Sequence, residues 1–246
     1  MEEKNTVLQL NHIKKTFLKD GERFPVLEDV SLSVAKGEFF VLLGRSGCGK
    51  TTLLRVAGGF LLPEEGEVWL DGERVEKPGS AQMMVFQEFH QLFPWMTLKK
   101  NLTYAMKKAR PGMSKEEREK TAEKFLAAAG LSEFANQYPA GLSGGMKQRG
   151  ALARALCLEP KVLLMDEPFS SLDYLSRQTA RQTVQKMAAE TGCTILLVTH
   201  DIEEAAELGD RIGILDVKTH RISKVYTVAE FESKEKLVEE LKAELL

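Results

Sequence analysis

Apolar and polar positions alternate at residues 7–10 and again at 26–34, the period of strands with one wet face. Lys19-Asp20-Gly21-Glu22 between them is turn chemistry. Residues 38–43 form a continuous apolar run ending at a glycine, the pattern of a strand buried on both faces of a parallel sheet. A helix is predicted over 53–58 and a hairpin over 67–73. From about residue 88 to 150 the pattern changes. Segments 97–108 and 115–130 carry helical periodicity and buried strand-like runs stop, which predicts an inserted helical lobe. Buried strands return at 162–165 and 195–198, with a helix at 177–190 between them and a further strand at 211–215. The charged amphipathic tail, 228–246, reads as a short helical cap, and no internal repeat or low-complexity stretch occurs.

A chain of 246 residues with 28% charged side chains has the composition of an ordinary α/β protein. Its net charge of −2 gives no electrostatic case for nucleic acid. Cys48, Cys157 and Cys193 lack metal-ligand spacing and read as reduced thiols. No apolar run approaches the roughly 18 residues of a membrane span, and the opening MEEKNTV is not patterned as a signal peptide. Work at a membrane would go through a partner.

Three strand ends carry chemistry. Gly44-Arg45-Ser46-Gly47-Cys48-Gly49-Lys50-Thr51-Thr52 matches G-x-x-x-x-G-K-[ST] between a predicted strand and a predicted helix. Its glycines let backbone N–H groups turn toward a β-phosphate. Lys50 brings a positive charge to the β/γ-phosphates, and Thr51 offers a hydroxyl to Mg²⁺. Cys48 is either a small residue the loop needs or a redox-sensitive thiol. Asp166-Glu167 closes the next buried strand, where alternation would point the two carboxylates apart: Asp166 to the Mg²⁺ shell, Glu167 to the attacking water as general base. His200 ends a third buried run, placed either for a γ-phosphate contact or as a structural histidine. Leu142-Ser143-Gly144-Gly145 opens a basic helix, so its hydroxyl and glycine amides form a second anion site at a helix N-terminus. One phosphate loop is already present, so the simplest task for Ser143, Gly144 and Gly145 is to cap the γ-phosphate of a nucleotide held by another copy.

These motifs, in this order, make residues 7 to about 227 resemble the ATP-binding-cassette family. The resemblance implies a P-loop NTPase fold: a RecA-like α/β core at 1–87 and 151–227 with an antiparallel β subdomain, a helical subdomain at 88–150, and a C-terminal helix at 228–246, all one nucleotide-binding domain. It also implies further site residues. Gln87 stands at the family's Q-loop glutamine, which reaches Mg²⁺ or the water. Asp173, in Ser171-Leu172-Asp173, matches the D-loop that works across a dimer, and His200 matches the switch histidine. Phe17 stands where an aromatic stacks on adenine, although a lone aromatic near a strand could equally be core. Departures are modest: Arg45 replaces a usual proline, Met146 a glutamine, Gly150 an aliphatic residue, and Ala140-Gly141 a polar or acidic pair.

Phe86-Gln87-Glu88-Phe89-His90-Gln91-Leu92-Phe93-Pro94-Trp95 is similar to the nitrate/sulfonate/taurine importer branch. The resemblance therefore implies an ATPase, with ATP and Mg²⁺, that forms a homodimer on transmembrane permease subunits at the cytoplasmic face of the membrane and serves a solute-binding protein indirectly. Phe93 and Trp95 then belong either to a groove for a permease helix or to the lobe's own core. An exporter or lipid-extraction ATPase, or a soluble non-transport member, is the alternative. A DNA-repair member would need a coiled-coil insertion for which there is no room, and a ribosome-acting member would carry two such domains.

Overall fold

The computed structural model describes residues 5–19, 21–87 and 91–245. Two sheets organise them. The first pairs β1 (Thr6–Lys19), β2 (Glu22–Ala35), β4 (Glu65–Leu70) and β5 (Glu73–Arg74) in the order β2-β1-β4-β5, with every pairing antiparallel. The β1–β2 hairpin is far longer than residues 7–10 and 26–34 suggest. Its ladder shifts register between Leu10 and Ile13, Ile13 and Lys15, and Lys15 and Thr16, which breaks the period-two pattern that identifies a strand. His12 and Asp29 take left-handed φ values of 51° and 55° at these irregularities. Gly66 faces the same stretch of β1: with φ of 86°, a Cβ there would lie 2.3 Å from the Asn11 carbonyl oxygen, so only glycine fits.

The second sheet has the order β10-β9-β3-β8-β7-β6. Strands β3 (Phe39–Leu43), β6 (Gln82–Val85), β7 (Val162–Asp166), β8 (Thr194–Thr199) and β9 (Arg211–Leu215) are parallel to their neighbours, and β10 (Ile222–Thr227) is an antiparallel edge on β9. Every residue of β3, β7 and β8 is buried, as continuous apolar runs between two covering layers should be. Alternate side chains divide between two cores. Phe40, Leu42, Leu164, Leu196 and Val198 pack with the first sheet and α1 (Lys50–Ala57). Phe39, Val41, Leu43, Leu163, Met165 and Leu197 pack against helices on the other face.

Those helices are α2 (Leu98–Ala109), α3 (Lys115–Ala128), α4 (Gly144–Leu156), α5 (Tyr174–Thr191), α6 (Ile202–Leu208) and α7 (Lys234–Leu245). Thr97 caps α2, and Ser114 with Glu117 forms a capping box on α3, so the backbone donors of both helix starts find partners. Among the described residues, 91–161 contain no strand. Helix α4 is continuous across residues 150 and 151, joining that helical stretch to the sheet layer. Its Gly150 has a packing reason: a Cβ there would come within 2.9 Å of Leu98 Cδ2 and 3.4 Å of Leu92 Cδ1. The tail differs from the single helix read over 228–246. A 3₁₀ turn at Val228–Glu230 comes first, and α7 begins only at Lys234. Leu237 and Leu241, one turn apart, are fully buried and anchor it.

Candidate functional site: three strand ends and two capped helices

Strand register brings four loops to one edge. Leu43 pairs with Thr199, Asp166 with Val198 and Val85 with Met165, so residues 44, 86–87, 167 and 200 leave the sheet side by side. That edge is the carboxyl end of the parallel strands, where open α/β sheets bind ligands.

The loop after β3 turns into α1 through Gly49, whose φ is 106° and whose Cβ would fall 2.6 Å from the Val26 carbonyl oxygen. Arg45, Ser46 and Gly47 are exposed at its crest. Cys48 points inward and is fully buried, and that burial pushes its thiol pKa up. The redox alternative for Cys48 therefore lacks an exposed thiolate, and the small-residue reading stands. Lys50 is 5% exposed and folds its ammonium back to donate to the carbonyls of Gly44 (2.8 Å) and Arg45 (3.1 Å). The Thr51 hydroxyl donates to Asp166 Oδ1 at 2.9 Å, and Thr52 follows half-buried.

Burial pushes the Asp166 carboxyl above the usual carboxylate range, against the opposing effect of the Thr51 hydroxyl. Glu167 is set apart from it differently from the strand alternation expected. It lies beyond β7 with φ of 43°, a left-handed turn that redirects its side chain. Its amide still donates to the Val198 carbonyl at 3.0 Å. Glu167 Oε1 lies 3.8 Å from Lys50 Nζ, and Oε2 lies 3.0 Å from His200 Nδ1, within hydrogen-bond distance. A positive φ at a residue with a long side chain costs of order 1–3 kcal/mol and collects at functional sites.

Gln87 joins this group indirectly. Its Nε2 donates to Ser170 Oγ at 3.3 Å, and the Ser170 hydroxyl donates to the Glu167 carbonyl at 2.9 Å. Ser170 carries no sequence signal beyond its place three residues after Glu167. Phe17 lies at the far end of the β1–β2 hairpin, 41% exposed and paired with Phe24. It is not core. Its partner lies two residues from Val26, the residue against which Gly49 packs.

Ser143 caps α4, accepting from the Met146 amide at 3.3 Å, and is exposed together with Gly144. Gly145 is buried against α5, where a Cβ would meet Ser176 Cβ at 2.8 Å. Asp173 caps α5. Hydrogen bonds from Ser176, its hydroxyl first and its amide (3.0 Å) second, hold the Asp173 carboxyl below its ordinary value. Among the described residues no hydrogen bond or ion pair joins 143–145 or Asp173 to Lys50, Thr51, Asp166 or Glu167.

Beyond β6, Phe89 lies outside the described residues. Leu92 is buried in the helical core at 3% exposure. Trp95 is 67% exposed. Its ring lies 5.4 Å from that of half-buried Phe93, which in turn meets Tyr104 edge-on at 5.6 Å. Trp95, Met96, Lys100, Tyr104, Lys107 and Arg118 are among the residues lining an open groove of about 490 Å³.

The model of the ABC transporter family matches residues 27–170. The chain is 42% identical over 208 residues to the nitrate import ATP-binding protein NrtD of Synechococcus elongatus, covering 85% of this chain and 76% of that one. It is 42% identical over 222 residues to the taurine import ATP-binding protein TauB of Roseobacter denitrificans, covering 90% and 82%. Against the nitrate import ATP-binding protein NrtC of Synechocystis sp. the identity is 41%, and there the match spans only 31% of the longer relative. The dimeric structure of MJ0796, a bacterial ABC transporter cassette, superposes with a TM-score of 0.79 at 34% identity over 90% of this chain and 98% of that one. A second dimer of that cassette, in a post-hydrolysis state bound to ADP and Pi, gives 0.77. By family model, relatives and fold together, this chain belongs to the ABC transporter family.

Proposed function

We propose that the chain is the ATP-hydrolysing subunit of an importer, acting as a homodimer on separate permease subunits at the cytoplasmic face of the membrane. One observation carries the chemistry: Glu167 stands 3.8 Å from Lys50 and 3.0 Å from His200, with the Thr51–Asp166 pair at 2.9 Å beside it. On ATP binding, Lys50 exchanges the carbonyls of Gly44 and Arg45 for β- and γ-phosphate oxygens, while the amides of residues 45–52 line the loop around the β-phosphate. Glu167 takes the proton of the attacking water. His200 turns from Glu167 to the γ-phosphate, so its present partner is the group it leaves behind. Thr51 and Asp166 present adjacent hard oxygens suited to Mg²⁺, which, when bound, neutralises the β- and γ-oxygens. Gln87, linked to Glu167 through Ser170, completes the water's surroundings. Phe17 supplies an exposed ring for adenine.

The two capped helices serve a second copy. Ser143, Gly144 and Asp173 are exposed and unconnected to their own chain's Lys50, as a group that completes a partner's site should be. A two-fold dimer then sandwiches two nucleotides. Among the described residues no helix is long and apolar enough to cross a membrane, so the groove at Trp95 is offered to a permease segment. A solute-binding protein acts one step further away. The importer relatives are named for nitrate, bicarbonate and taurine, and the choice of solute belongs to the permease and binding protein.

The test is Glu167→Gln. It keeps the shape of the side chain and removes the base, so hydrolysis should fall roughly 10²–10⁴-fold while ATP binding survives. The variant should accumulate as an ATP-dependent dimer in size-exclusion chromatography. Undiminished hydrolysis would overturn the assignment of the base.

A further inference from the structure

An ionic cluster between α5 and α6 lies directly behind His200, and nothing proposed above uses it. Arg181 is 9% exposed and donates to Glu207 at 2.9 Å, to Asp201 Oδ2 at 3.3 Å and to Glu204 Oε1 at 3.3 Å. Arg177, one turn earlier on α5, donates to the same Asp201 oxygen at 3.4 Å and to the Leu172 carbonyl at 3.4 Å. The other Asp201 oxygen accepts the Glu204 amide at 3.0 Å and caps α6, and the Asp201 amide donates to Thr199 Oγ1 at 3.0 Å. Both neighbours of His200 are therefore fastened: Thr199 in the buried strand β8 and Asp201 under two guanidinium groups. Among the described residues, the His200 side chain has a hydrogen-bond partner in Glu167 alone.

We infer that Arg177 is a positioning residue for hydrolysis: by bridging Asp201 and the Leu172 carbonyl, it sets how His200 meets Glu167 and ties that approach to the loop ending at Asp173. The inference rests on the roles proposed for Glu167 and His200. Arg181, paired with Glu204 and Glu207, keeps α5 docked on α6 when Arg177 is shortened, so the bridge can be cut without dismantling the helix pair. In a two-copy arrangement Asp173 and His200 serve different nucleotides, and Arg177 is the side chain that touches the loop of the one and the flank of the other.

The experiment compares kcat, KM for ATP and Tm for the purified chain, Arg177→Met, Asp201→Asn, His200→Ala and the double variant Arg177→Met/His200→Ala. Asparagine at 201 retains an acceptor for the α6 cap and removes the charge both arginines hold, so it carries the test if Arg177→Met fails to fold. Each single change at 177 or 201 should lower kcat about tenfold, the scale of a small misplacement, with KM and Tm near the parent's. In the His200→Ala background, Arg177→Met should cost nothing further. A parental kcat, a tenfold fall that persists without His200, or a fall that follows Tm downward would overturn the positioning role. Normal hydrolysis by His200→Ala alone would instead overturn the underlying assignment of the histidine.

Discussion

Replacing Gly145 with alanine tests whether the start of α4 and the Asp173 loop are mechanically one unit. The added Cβ would lie 2.8 Å from Ser176 Cβ and 2.9 Å from Ser176 Oγ. Carbon atoms prefer about 3.5–4.0 Å, so the shortfall is close to 1 Å. Overpacking of that kind costs about 1–3 kcal/mol, while exchanging glycine for alanine inside a helix returns about 0.8–1 kcal/mol. The net change in Gly145→Ala is thus a loss of between zero and about 2 kcal/mol, too broad to decide anything alone. Ser176→Gly makes it decisive. Without the serine side chain, the nearest atom left to the new Cβ is the Cα of residue 176 at 3.8 Å, an ordinary contact. In that background Gly145→Ala should stabilise by up to about 1 kcal/mol. Urea denaturation of the parent, both single variants and the double variant yields the coupling energy, expected at about 1–3 kcal/mol. Because the Ser176 amide is bonded to Asp173, hydrolysis by Gly145→Ala should fall and recover with the same cycle. Effects that add within about 0.5 kcal/mol would refute the contact.

Two further outcomes follow from exposure. Trp95→Ala should leave stability within about 0.5 kcal/mol of the parent, because the ring is 67% exposed, and should weaken assembly with a permease by about 2 kcal/mol in a pull-down titration. A destabilised variant would place the ring in the core, and unchanged assembly would move the docking groove elsewhere. All three cysteines are buried, with the Cys157 and Cys193 thiols pushed up to about 12 and the Cys48 thiol raised, so the native chain should resist iodoacetamide at pH 8 and take up three equivalents only after denaturation. Rapid labelling of Cys48 in the native state would revive the redox reading.

The parallel strands were readable because burial on both faces removes the need for polar residues: Phe39–Leu43 and Val162–Asp166 announce themselves as apolar runs. The start of α4 was readable for an equally local reason, since Ser143 supplies an oxygen to orphaned amides, whereas α5 begins at Tyr174 behind its Asp173 cap, three residues before the start read at 177. What escaped depends on neighbours distant in the chain. The outer half of the β1–β2 hairpin exposes Phe17, Leu18 and Phe24, so its residues carry no burial rhythm. Strands β6 and β10 are edges of four and six residues, and α6 has only seven, too few to establish a period. The turn at Glu167 and the bridge through Arg177 cannot be read from spacing: they join groups 33 and 24 positions apart, except for the short step from Arg177 to Leu172.

The pleated sheet works as a bulkhead. Because Phe40 and Leu42 face one compartment while Phe39, Val41 and Leu43 face the other, the sheet stands as a wall between the two hydrophobic interiors. Repacking on one side leaves the far side's volume untouched, so substitutions in the two interiors should combine independently. The compartment that holds α1 and the first sheet can therefore keep its shape while the helical compartment is remodelled. One half can in this way be held constant beneath differently shaped helical halves.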